Sequence, residues 1–152
     1  MMRYIFILAL FPGLLWAESY KLDPSFPQLP KEIKLAEVSG VTINSSGEIF
    51  IFHRGERPII AMDKAGKFLR SFGEGTKSAH GLRCDSADNI WATDVVNHTV
   101  TKFSPDGKVL LRLGESGVAG EDETHFNKPT DVEFAPDGNF FVADGYGNSR
   151  VV

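Results

Sequence analysis

The sequence predicts an all-β fold of repeated antiparallel blades, a β-propeller, and three observations predict it. A block of apolar strands and polar turns opens at Val41, again at Leu82 and again at Val132. Superposing these openings aligns Gly47 with Asp88 and Gly138, His53 with Asp94 and Asp144, and Phe72-Gly73 with Leu113-Gly114. The period is about 40 residues with strand alternation inside each unit, which is the length of a propeller blade rather than of a helical solenoid repeat.

Each element follows from that register. In the first unit the apolar alternation predicts strands over 38–43, 48–53, 59–63 and 68–72, counted outward from the axis. The second unit repeats them over 81–84, 89–93, 99–104 and 109–113, and the third begins with 130–134 and 139–143. Lys64-Ala65-Gly66 and Pro105-Asp106-Gly107 join the third and fourth strands of the first two units, with glycine supplying positive φ. Phe50, Phe52, Trp91, Phe103, Phe134, Phe140 and Phe141 fall on strand positions and are expected to pack between blades.

A propeller ring takes about four to eight blades. These 152 residues supply two complete units and the opening of a third. The chain is therefore expected to be the N-terminal part of a longer protein, and as an open arc with an unpaired edge it is expected to be unstable alone. Residues 1–17 combine Arg3, an apolar run and Ala17, the pattern of an export signal cleaved after Ala17, which predicts a secreted or periplasmic protein. The run is too short for a confident membrane span, so no stable span is expected once the signal is removed. Residues 18–37, with Pro24, Pro27 and Pro30, read as a linker or a strap over the surface, and 38–152 as the partial propeller. A net charge of −4 and the lack of any basic run argue against a nucleic-acid partner. Cys84 is the single cysteine, and its strand position suggests burial rather than reactivity.

In a propeller the starts of the innermost strands gather around one axis. His80 stands at such a start, where the other units carry Ser39 or Gly40 and Thr130. One imidazole is a fraction of a zinc site, which takes three or four ligands, so a metal ligand and a hydrogen-bonded channel histidine both stay open. The corner after the second strand carries His53-Arg54-Gly55, Asp94-Val95 and Asp144-Gly145-Tyr146 in the three units. Arg54 offers a fork suited to a carboxylate. Tyr146 offers a phenol that loses its proton only beside a cation. Asp94 and Asp144 are expected to cap backbone in the corner, and His98 and His125 to lie in surface loops. The polar stretch 115–128 either shapes a cleft or is a surface insertion.

Phe52-His53-Arg54-Gly55, His80-Gly81-Leu82 with Asp85, Trp91 with Thr93-Asp94-Val95, Phe126 with Pro129-Thr130-Asp131-Val132, and Asp144-Gly145-Tyr146 with Asn148-Ser149-Arg150 resemble the peptidyl-α-hydroxyglycine α-amidating lyases. The resemblance implies a six-bladed propeller of the NHL-repeat type, of which this chain holds roughly the first half. It implies a peptide substrate, cleaved to the peptide amide and glyoxylate. It also implies roles: His80 as one of three zinc histidines, Arg54 on the substrate carboxylate or developing charge, Tyr146 as base, and the carbonyls of Val41 and Leu82 on a calcium ion. The other zinc histidines would lie beyond Val152, so the remaining blades would be required and the fragment inactive. Gly147 stands where animal members carry a cysteine. Two other functions fit the residues alone: a non-catalytic NHL propeller binding a peptide or protein, and a calcium-dependent lactonase, whose acidic channel cluster Glu48, Asp85 and Asp131 do not supply.

Overall fold

A computed structural model describes residues 20–152; the expected export signal lies outside them. The described residues are all-β, with eleven strands in three antiparallel sheets. The first blade orders β1 (Val38–Ile43), β2 (Ile49–His53), β3 (Ile59–Met62) and β4 (Phe68–Phe72) side by side. The second repeats this with β5 (Ala79–Cys84), β6 (Ile90–Asp94), β7 (Thr99–Phe103) and β8 (Val109–Leu113). The third holds β9 (Asp131–Phe134), β10 (Phe140–Asp144) and β11 (Arg150–Val151). The sheets stand as successive blades, with β1 packed beside β5 and β5 beside β9. No helix among the described residues is long and apolar enough to cross a membrane.

The strand limits differ from the periodic reading by a residue or two, for local reasons. Glu48, Asn89 and Asn139 look like first strand residues, but their carbonyls accept the amide protons of Asn44, Asp85 and Ala135 and so close the preceding turn. At the repeated turn position φ is positive in all three blades: 83° at Gly47, 64° at Asp88 and 90° at Gly138. An aspartate tolerates this region better than most side chains. Asp88 is held there because Ser45 of the neighbouring blade donates to it from its amide (2.8 Å) and its hydroxyl (2.5 Å).

Two apolar seams join the blades. Phe50, Phe52, Ile59, Phe72, Leu82, Ile90 and Phe103 fill the first, and Trp91, Val100, Phe126, Val132 and Val142 the second. Phe72 bridges Phe50 (ring centroids 6.3 Å) and Phe103 (5.3 Å) in offset, non-parallel contacts. The far face of blade one is covered by the segment before β1: Ile33 packs with Ile51, Ile60 and Met62, flanked by Leu29 and Leu35. Phe141 departs from the expected aromatic packing, since it shares the register of Phe50 and Trp91 yet is half exposed. No sheet among the described residues covers that face of blade three.

Candidate functional site at the inner-strand rim

The site begins with a β-bulge. On β5, Ala79 pairs with Asp94 and Leu82 with Ala92, so His80 and Gly81 together oppose Thr93. A bulge re-aims the side chain it carries and bends its strand. The same irregularity falls between Val38 and Gly40 on β1. Ser39 there donates its hydroxyl to the Phe52 carbonyl (3.4 Å), and Thr130, the equivalent residue of blade three, donates to the Ala143 carbonyl (3.1 Å). Blade two exchanges the arrangement. The hydroxyl sits on the second strand, where Thr93 accepts from the Gly81 amide (2.7 Å) and donates to the Thr130 carbonyl (3.0 Å), and the first strand is left free to carry an imidazole.

That imidazole is oriented from both ends. Nδ1 of His80 lies 2.8 Å from the Thr130 carbonyl, an acceptor only, so Nδ1 carries the proton and donates. Nε2 is then the unprotonated nitrogen, and it accepts from the Tyr146 hydroxyl at 3.0 Å. The two rings meet edge-on, with centroids 5.3 Å apart at 81°. Arg54 reaches the same neighbourhood from blade one through Nε, which donates to the carbonyl of Ala79, the residue preceding His80 (3.4 Å). Arg54, His80 and Tyr146, from three successive blades, thus gather at one rim.

The corner residues beside them are structural. His53 is buried and accepts the Ala36 amide at Nδ1 (3.1 Å), while Nε2 donates to the Arg57 carbonyl (2.7 Å). Asp94 accepts the amide of Lys77 (2.7 Å), and Asp144 that of Asn127 (2.8 Å). Ala36, Lys77 and Asn127 are themselves equivalent, so one cap recurs three times with two different side chains. Sequence reading missed the supporting roles of Thr93 and Thr130; the signal was the hydroxyl that occupies the His80 position in the other two units.

Below this rim a cleft of ≈ 350 Å³ is lined by Ser39, Val41, His80, Leu82, Arg83 and Asp131, among others. Val41 and Leu82 occupy matching places on neighbouring innermost strands. Asp131 is clamped by Arg83, through Nε (3.1 Å) and Nη2 (2.6 Å). Arg54 and Tyr146 flank His80 without lining the cleft. No group of three His, Cys, Asp or Glu side chains among the described residues is placed to hold a metal ion. Away from the rim, burial pushes the Cys84 thiol up to about 11, with Asp88 and Asp85 adding to it, which makes it a poor nucleophile. His98 accepts the Lys128 amide at Nδ1 (3.0 Å) in a loop. His125 is bonded by Asp122 (2.9 Å), which with Glu115 raises its pKa.

The NHL repeat family matches residues 126–152. A probable peptidyl-alpha-hydroxyglycine alpha-amidating lyase of Caenorhabditis elegans is 36% identical over 144 residues, covering 78% of this chain and 41% of its own length. Peptidyl-alpha-hydroxyglycine alpha-amidating lyase 1 of Drosophila melanogaster is 36% identical over 149 residues, covering 79% of this chain and 27% of its own. Peptidylglycine alpha-amidating monooxygenase of Rattus norvegicus is 37% identical, covering 76% and 15%. The chain spans less than half the length of these relatives. Among solved structures, virginiamycin B lyase from Staphylococcus aureus superposes with a TM-score of 0.59 at 17% identity over 75% of this chain and 36% of its own, a likeness of fold. The chain is thus an arc of an NHL-repeat β-propeller whose curated homologues are named as peptidyl-α-hydroxyglycine α-amidating lyases.

Proposed function

We propose that this chain supplies the first blades of an amidating-lyase site that splits an α-hydroxyglycine-extended peptide into the peptide amide and glyoxylate. One observation carries the reading: Nδ1–H of His80 is committed to the Thr130 carbonyl, and Nε2 therefore presents its lone pair at the rim beside Tyr146. A histidine that ligates a metal commonly donates its other ring proton to a carbonyl in this way. His80 Nε2 would fit zinc once the Tyr146 hydroxyl releases that lone pair, and the further donors would have to come from blades other than those described. Zinc bound there would act as a Lewis acid that makes the substrate hydroxyl more acidic. Val41 and Leu82 would offer backbone oxygens, which calcium prefers, on adjacent inner strands.

The chain's own groups define the proton path. Tyr146 Oη, as the phenolate that a cation beside it would favour, takes the hydroxyl proton of the substrate; the freed O–H electron pair forms the second bond of the glyoxylate carbonyl, and the C–N bond breaks toward nitrogen. The amide nitrogen then takes up the proton held by Tyr146, which restores the phenolate and balances the reaction without an added reactant. Arg54, whose Nε is held by the Ala79 carbonyl, keeps its outer nitrogens for the carboxylate of the hydroxyglycine.

Glyoxylate release and zinc content of the complete propeller test this. His80→Ala should lower both together. Tyr146→Phe should cut turnover by roughly 10²- to 10⁴-fold, the usual worth of a general base, with zinc retained. Normal turnover in Tyr146→Phe overturns the base assignment, and peptide binding with no glyoxylate from the wild type favours a binding propeller instead.

A further inference from the structure

Tyr146 holds an unusual conformation with little direct support. Its φ is 57°. It is the middle of a three-residue turn closed by the Gly147 amide on the Gly145 carbonyl (2.8 Å). The residue is 74% exposed, and among the described residues its hydroxyl has the single partner His80. Positive φ is costly for a residue with a bulky side chain, and such turns persist where the surroundings over-determine them.

The surroundings here form one connected network. Asp144, 0% exposed, precedes the turn. Its Oδ2 accepts from Asn148 Nδ2 (2.7 Å) and Arg150 Nε (2.9 Å), and its Oδ1 from the Asn127 amide (2.8 Å). Both donors also reach across to the 115–128 loop: Asn148 Nδ2 to the Gly120 carbonyl (2.8 Å), and the Arg150 guanidinium to the carbonyls of Glu121, Asp122 (3.0 Å) and His125 (2.7 Å). The loop returns the contact through the Asn127 carbonyl, which accepts the Gly147 amide (3.1 Å). A β-carbon at position 147 would meet the Asn127 side chain at 2.1 Å, so glycine there lets turn and loop approach.

We propose that Asn148 and Arg150, seated on buried Asp144, are positioning residues that lock the 145–147 turn against the loop and so hold the Tyr146 hydroxyl beside His80. The catalytic meaning of this rests on the lyase reading, but its structural content does not. The test is nitrogen NMR of the metal-free full chain with ring-labelled histidine, the His80 signal being assigned with His80→Ala. Arg150→Gln and Asn148→Ala should each move the His80 Nε2 shift to its value in Tyr146→Phe. A core variant of similar thermal loss, Val142→Ala, should leave the shift where it is in the wild type. Asn148→Ala keeps the Asp144–Arg150 pair and carries the test if Arg150→Gln does not fold. A wild-type His80 shift in either folded variant overturns the proposal. In the complete propeller Arg150→Gln should lower kcat on the order of 10²-fold, as misplacement of a reacting group does, with KM held. Absent glyoxylate release by the wild type would sink the lyase reading and leave the NMR result standing.

Discussion

At the scale of single residues, the rim depends on glycines that let one blade's backbone touch the next. A β-carbon on Gly81 would lie 2.5 Å from the Thr130 carbonyl oxygen and 3.0 Å from Asp131 Cα, which are backbone atoms that can yield only if blades two and three separate. That same carbonyl holds His80 and Thr93. Gly81→Ala should therefore cost about 1–3 kcal/mol, the range for overpacking, measured by urea denaturation; unchanged stability would show that the strands give way freely. Why position 81 is glycine was not legible in the sequence, because its crowding partner lies in the following unit. The gathering of Arg54, His80 and Tyr146 was legible for the opposite reason: each sits at a repeated corner or strand start, and repetition fixes where such positions go.

At the scale of elements, the turns that begin blade two show how polar contacts fix strand register. Asp85 opens the β5–β6 turn, accepts Trp91 Nε1 (2.9 Å) and Asn89 Nδ2 (3.1 Å), and pairs with Lys102 Nζ (3.0 Å), which also lies 5.0 Å from the Trp91 ring. Three strands are tied through one carboxylate. Burial alone would raise its pKa, but the bonds from Trp91, Lys102 and Asn89 outweigh that and take it from 3.8 to about 2. A carboxylate depressed on folding stabilises fully above its unfolded pKa and loses that contribution as pH falls through the folded value. The melting temperature should thus drop between about pH 5 and pH 2, and Asp85→Asn should start lower at neutral pH and lose less across that window. Equal acid slopes for the two proteins would remove Asp85 from the account. Hydrophobic alternation located these strands; it could not place the bulge at His80-Gly81 or start β5 at Ala79, since both depend on which residue pairs across from Thr93.

At the scale of the molecule, each blade is stabilised by its neighbours, and blade one has a neighbour of an unusual kind. Its inner seam is the aromatic and aliphatic cluster shared with blade two, whereas its other face is covered by Leu29, Ile33 and Leu35 from the segment ahead of β1. That segment also joins the blade through backbone bonds, the Gln28 amide donating to Gly66 (2.8 Å) and the Phe68 amide to Gln28 (3.2 Å). It acts as a strap in place of a sheet. Ile33 is 7% exposed, so Ile33→Ala should cost about 2–5 kcal/mol, as removal of a buried isoleucine does. In a stack where each unit touches only the next, the loss should be local. Hydrogen exchange should quicken first in β2 and β3, whose Ile51, Ile60 and Met62 meet Ile33, and leave β10 at its wild-type rate, because β10 belongs to the second seam with Trp91 and Val132. Equal acceleration in all three sheets would mean that the blades open as one cooperative body, with the strap contributing to the whole arc rather than to the blade it covers.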